Sequence, residues 1–310
     1  MRHIVETCMS SFYPSLPHRP LRTTSAYVDR TARRGKCGGT SSNLGSVTSL
    51  PWHCVIAAGG AAPEEIAEAT GAKTKGAVSL LGTTSLARVL DACRTVGFES
   101  IAVVADEETA SELALREGER AVPPGEANIQ STLNGLDGLP DHAPTFLTVC
   151  DAPLMEAAHI ERFLQDVEER RREASYDGRW FAAGLADEPD VRRRYPGVRY
   201  RYIRFREGRF ASGALYASTP ASVRHAAQQL RVGSERRKSV PSLVLQVGLL
   251  SLVRYLLGTV SLSEAELRIA GLLGGECFIV TGCDPATTMD FDTLEDLRNV
   301  ERLLRESKAV

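Results

Sequence analysis

The feature that most constrains this chain is a sustained alternation of short apolar runs with longer amphipathic stretches, starting at residue 53. HCVIAAGG (53–60) reads as a buried strand that runs straight into glycines. SLARVLDACRTVG (85–97) carries apolar residues at helical spacing, SIAVVAD (100–106) reads as a strand, and TASELALREG (109–118) as a helix. ANIQSTLNGLDGL (127–139) is a further helix, TFLTVCD (145–151) a strand, and AAHIERFLQDVEERRREA (157–174) a charged amphipathic helix. Strands alternating with helices of this length predict an α/β fold: a mostly parallel sheet with helices on both faces, in three layers.

The second half is less regular. VRYRYIRFREGRFASGALYAS (198–218) predicts two strands about a Glu207-Gly208 turn, a hairpin and not another parallel unit. Helices are expected near 220–231 and 241–257, a strand at CFIVTG (277–282), and a last helix in DTLEDLRNVERLLRES that Asp292 or Thr293 can cap. Residues 1–50, rich in Ser, Thr, Arg, Gly and Pro, show neither period and are expected to be a disordered extension. That leaves one domain at 51–310, with 198–275 as its less regular part.

Composition narrows the function classes. Thirty-seven basic and 39 acidic residues nearly cancel, which argues against a nucleic-acid partner. Seven scattered cysteines, none in a Cys-x-x-Cys pair, are expected to be reduced thiols of a cytoplasmic protein. The apolar run 242–262 carries Arg254 just past its middle, so a buried or interfacial helix is expected there and not a membrane span. With Lys238 and the arginines at 199, 201, 204, 206 and 209 it could also meet an anionic lipid surface or a second copy of the chain. A packed helix beside a solvated basic hairpin is the plainer reading.

Four short features could carry chemistry. Asp151 ends the apolar run 145–150, where open α/β sheets place their ligands; it fits equally a cap for the 157 helix or a ligand of Mg²⁺. AAGG (57–60) suits close approach of backbone amides to phosphate, but lacks both the dinucleotide spacing and the P-loop ending. Lys73 and Lys75, ahead of an apolar strand in GAKTKGAVSLLG (71–82), lie within loop reach of those glycines, although solvated lysines are the plainer reading. In MDFDTLEDL (289–297), Asp290 and Asp292 alternate with Met289 and Phe291, so an extended segment points both carboxylates to one face.

The set VIAAGG, Lys75 with AVSLLG, CDAPL and DFDTLEDL, in that order, resembles the MobA-like NTP transferases, nucleotidyltransferases of Rossmann-like GT-A fold. The resemblance covers residues 53–160 and the last twenty or so well, and the region between loosely. It implies Mg²⁺ as cofactor, an NTP and a small-molecule acceptor as partners, and release of pyrophosphate. It further implies that Asp151 ligates Mg²⁺ with Asp292 as second acid and Asp290 as its alternate, and that Lys75 contacts triphosphate or acceptor. Ala58, Gly59 and Gly60 would wrap base and phosphates with their amides. Asn128 and Ser131 would meet base and ribose, and Gly213 would line the acceptor side. The chain departs from the family pattern at Cys150, where glycine is common, and at Leu294, where proline is common. Glu64, Glu65 and Glu68 also depart from it, standing where an arginine-containing loop is usual. A glycosyltransferase of the same fold and a non-catalytic nucleotide sensor are the competing readings.

Overall fold

The computed structural model of the chain describes residues 51–174, 178–235 and 260–307. The expected extension 1–50, the expected helix 241–257 and all but the last three residues of the apolar run 242–262 lie outside them. Among the described residues, no helix is long and apolar enough to cross a membrane.

The elements run β1 (His53–Ala57), α1 (Glu64–Thr70), β2 (Ser79–Leu80), β3 (Thr83–Thr84), α2 (Ser85–Val96), β4 (Ser100–Val104), α3 (Glu107–Ser111) and β5 (Glu119–Val122). Then come α4 (Asn128–Gly135), β6 (Thr145–Val149), α5 (Ala157–Ala174), β7 (Trp180–Asp187), α6 (Glu188–Arg194), β8 (Ile203–Phe205) and β9 (Gly208–Ser218). The chain continues with α7 (Pro220–Glu235), α8 (Leu262–Leu273), β10 (Glu276–Thr281) and α9 (Leu294–Ser307). Eight strands form one sheet in the order β10-β7-β9-β6-β1-β4-β5, with β8 paired to β9. All neighbours are parallel except along β9, which runs antiparallel to β6, β7 and β8. The expected hairpin is present, and its second strand is a central member of the sheet.

β1 is covered on both faces, so its residues divide between two cores. Cys54 and Ile56 join Phe146 and the inner faces of α2 and α5, while Val55 joins Leu147, Val104 and Leu136 beside α4. Buried Leu86, Val89, Leu90 and Cys93 form the i, i+3, i+4, i+7 stripe that seats α2. Thr84 caps its start by accepting from the Ala87 amide at 3.2 Å. In register, Ala57 stands beside both Val104 and Val149, so the three central strands end level, and whatever follows them shares one edge of the sheet.

Several expected elements differ. The helix read at 109–118 ends at Ser111, because the guanidinium of Arg94 draws on the Ala114 carbonyl at 2.8 Å and pairs with Glu119, holding that segment in a connector to β5. The apolar strand read after Lys75 is only the two-residue β2, paired to β3. The segment 62–75, read as a loop, holds α1, whose single buried residue Ile66 joins Phe291, Leu297 and Val300 of the C-terminal segment.

α4 approaches β1 and β4 closely at Gly135. A methyl group there would lie 2.4 Å from Val55 Cγ1 and 3.0 Å from Val104 Cγ2. Gly135→Ala is therefore expected to destabilise the protein by about 1–3 kcal/mol. A lowered urea midpoint with an unchanged slope is the measurement that checks it.

Candidate active site

A cleft of about 490 Å³ opens above the carboxyl ends of β1 and β6. Its centre is an ionic triad assembled from three distant segments. Lys75 Nζ donates to Asp151 Oδ2 at 2.7 Å and to Asp292 Oδ1 at 2.5 Å.

Local structure fixes each member. The Lys75 amide donates to the Gly60 carbonyl at 3.0 Å and the Ala62 amide to the Lys73 carbonyl at 2.9 Å, tying the lysine segment to the glycine loop. Lys73 turns outward instead, to Glu108 on the exposed surface. Asp151 follows Cys150, whose amide donates to Ala57 and whose carbonyl accepts from Ser85 Oγ at 2.6 Å. Phe291 is fully buried and Met289 nearly so, and these two anchors turn Asp290 and Asp292 toward the cleft, as alternation requires. Thr293, not Asp292, caps α9: its Oγ1 accepts from the Asp296 amide while Asp296 accepts from the Thr293 amide. The Asp292 carboxylate is thereby left for Lys75.

Burial opposes the charge on Lys75, but the facing carboxylates of Asp151 and Asp292 outweigh it and hold the pKa well above the ordinary lysine value. The group stays an ammonium through the neutral range, a donor and not a general base. A folded pKa raised in this way contributes stability below the ordinary lysine pKa, and that contribution fades as pH rises through the folded value.

The remaining expected residues are placed unevenly. Gly59, Gly60, Asn128, Ser131, Gly213 and Asp290 line the cleft. Among the described residues, nothing accepts from the amides of Gly59, Gly60 or Ala61, which leaves three N–H groups beside the triad. Ala58 is a correction: it is fully buried, does not line the cleft, and its amide donates to the Val104 carbonyl at 2.8 Å. The strand ladder runs one residue further than its sequence suggests. Ser131 Oγ accepts from the Gly125 amide at 3.0 Å and so braces the loop over the cleft. That loop leans on Gly59, where a Cβ would meet Pro124 at 2.6 Å. Glu64, Glu65 and Glu68 do not line the cleft; they lie on α1, and Glu65 accepts from the Leu294 amide at 2.9 Å.

Thr287, Thr288, Ser212 and Tyr216 line the cleft and were not expected from the sequence. The two threonines directly precede Met289, so the pattern that exposes Asp290 could have been extended back to them. Ser212 and Tyr216, which share a hydrogen bond at 3.0 Å, depend on β9 being central, and nothing local signals that.

The family model of the MobA-like NTP transferase domain matches residues 54–245. The chain belongs to the MobA-like NTP transferase family. Membership carries nucleotidyl transfer as the general chemistry, and no protein with a curated description matches the chain. Among solved structures, a hypothetical transferase from Thermus thermophilus is 24% identical with a TM-score of 0.64, covering 80% of this chain and 100% of its own, a likeness of fold. A nucleotidyl transferase from Methanothermobacter (15% identity, TM-score 0.48, 83% and 98% coverage) and the 2-C-methyl-D-erythritol 4-phosphate cytidylyltransferase of Francisella tularensis (12%, 0.48, 81% and 98%) are more distant.

Within this MobA-like domain, Asp151→Asn removes one of the two charges that hold Lys75 ionised. The Lys75 pKa, followed by NMR of its Cε–H groups, is expected to fall back toward the ordinary lysine value, while an exposed lysine such as Lys73 does not move.

Proposed function

We propose that the protein transfers a nucleoside monophosphate from an Mg²⁺-bound NTP to a phosphorylated or hydroxyl acceptor, releasing pyrophosphate. One observation carries this reading: Lys75, Asp151 and Asp292 converge at a single point beside three amides with no acceptor among the described residues.

The charge balance supports a metal. Among the described residues, Glu126, Asp151, Asp290 and Asp292 line the cleft against the single cation Lys75, so a triphosphate entering alone would meet net repulsion. Among the described residues, no three acidic, imidazole or thiol groups form a self-contained metal cage. A pair of carboxylates beside a phosphate site is the kind of donor set that suits a hard cation such as Mg²⁺. Asp151 and Asp292 would hold it. When bound, Mg²⁺ supplies charge neutralisation on the phosphate oxygens.

This chain's own residues do the rest. The amides of Gly59, Gly60 and Ala61 bind phosphate oxygens, and the loop braced by Ser131 holds the nucleoside against Asn128. Attack by the acceptor oxygen forms a new bond to the α-phosphorus as the bond to the bridging oxygen of pyrophosphate breaks, and a hydroxyl acceptor gives up its proton to solvent. Lys75, permanently protonated, donates to oxygens on which negative charge grows in that step. Asp151 and Asp292 keep its ammonium aimed there.

Acidic residues at the phosphate site would favour a non-catalytic sensor, but none of the glutamates of α1 lines the cleft and Glu65 accepts from the Leu294 amide. The experiment is pyrophosphate release with Mg²⁺ and each of the four NTPs over a panel of phosphorylated sugars, alcohols and pterins. Turnover is expected to fall by about 10²-fold or more in Asp151→Ala and in Lys75→Met. Glu65→Ala should keep its rate while losing about 1 kcal/mol of stability. Full activity in Asp151→Ala would refute the proposal.

A further inference from the structure

We propose that a second cavity, formed by α6, the segment 195–202 and the start of β9, binds an anionic group of the acceptor at a distance from its attacking oxygen; this rests on the nucleotidyl-transfer reading above. The cavity has a volume of about 630 Å³ and is lined by Arg192, Arg199 and Arg209 together with Tyr195, Tyr200 and Tyr202. It shares no lining residue with the cleft that holds Lys75.

Two of the arginines are held from behind. Glu188 Oε1 accepts from Arg192 Nε at 2.8 Å, and Glu188 Oε2 lies 3.3 Å from Arg209 Nε. Both guanidinium groups also sit over the Tyr202 ring, 5.6 Å and 5.3 Å from its centroid. Glu188 and Tyr202 thus fix the Nε edges, and the terminal Nη groups have no hydrogen-bond partner among the described residues. A guanidinium oriented in this way presents a planar donor pair that matches phosphate or carboxylate. Arg199 adds a third cation at the exposed rim, with no carboxylate partner among the described residues. Among the described residues the lining holds three guanidinium groups and no carboxylate: Glu188 stands behind two of them, Asp190 is paired with Arg193 at 2.8 Å, and Asp284 and Glu156 act only on the Tyr195 side, where Arg194 also lies. The cavity keeps a positive surplus where the cleft has a negative one.

The two sites are built on shared elements. β9 contributes Arg209 to the cavity and Gly213 to the cleft, four strand residues apart, or about 13 Å at about 3.3 Å per residue. Met289, adjacent to Asp290 of the cleft, packs in one cluster with Tyr195 and Tyr200 of the cavity. An acceptor that reaches both is elongated, with its nucleophilic oxygen near the triad and a phosphate or carboxylate about 13 Å away.

The test uses the full chain and direct binding. Inorganic phosphate is titrated while the Nε–H resonance of Arg192, and in the native chain that of Arg209, is followed by NMR, in the native chain and in Arg209→Gln. A long α,ω-alkane bisphosphonate is then compared with inorganic phosphate, both with Mg²⁺ present to offset the carboxylates of the cleft. Saturable shifts are expected, weakened about tenfold or more in Arg209→Gln. The long probe is expected to bind at least about tenfold tighter than phosphate and to move the Gly213 amide as well, because its second end is held at high effective concentration. Shifts that never saturate, or an affinity unchanged in Arg209→Gln, would overturn the site. Phosphate binding with no gain for the long probe would overturn its assignment to the acceptor. None of these readouts needs turnover, so absent pyrophosphate release, which is failure of the transfer reading, is told apart from failure of the cavity.

Discussion

Two ionised carboxylates brought to one point repel each other, and in this protein the ammonium of Lys75 offsets that repulsion for Asp151 and Asp292. Much of the architecture serves that meeting. β6 must end level with β1 to deliver Asp151, the glycine loop must hold the backbone of Lys75, and Phe291 must be sunk into the cluster around Ile66 and Val300 so that Asp292 faces the lysine. Asp151 and Lys75 are each less than one-fifth exposed, so their attraction is only partly screened. Asp292, at 59% exposure, is the soft member of the set.

That organisation was legible in the sequence where chemistry and periodicity coincided. β1, β6 and α5 are strongly patterned, and Asp151 is visible because a charge at the end of an apolar run has few explanations. Asp290 and Asp292 were visible through alternation with Met289 and Phe291. β7 was not read because WFAAGLAD is diluted by Ala182, Ala183, Gly184 and Ala186, small residues that pack closely in the interior of the sheet yet carry little apolar signal. α1 was not read because only Ile66 of its seven residues is buried. α8 begins with a capping box on Ser261 and Glu264, a helix-start signal that the adjoining apolar run overlaps in the sequence.

That Gly59 and Gly60 line the cleft and Ala58 does not has a single cause. Sequence shows where glycines begin, but the ladder between β1 and β4 decides which amide is the last to be spent on a neighbouring strand, and it is that of Ala58. The acidic face of α1 teaches a related lesson: Glu65 lies close to the cleft in sequence but has work at the amino end of α9, where a carboxylate also complements the helix dipole.

The contact between Lys75 and Asp292 joins residues 217 positions apart, while Asp151 is 76 positions from Lys75. A ribosome adding about 5–20 residues per second needs more than about ten seconds to span the longer gap. For the part of that interval after residue 151 the nascent chain holds the lysine and its first carboxylate without the second, and β7, β9 and β10 are all added before Asp292 emerges. The protein therefore acquires a potential core early and its complete charge arrangement last, so that a truncated chain folded around β1, β4 and β6 would be a shell without a working centre.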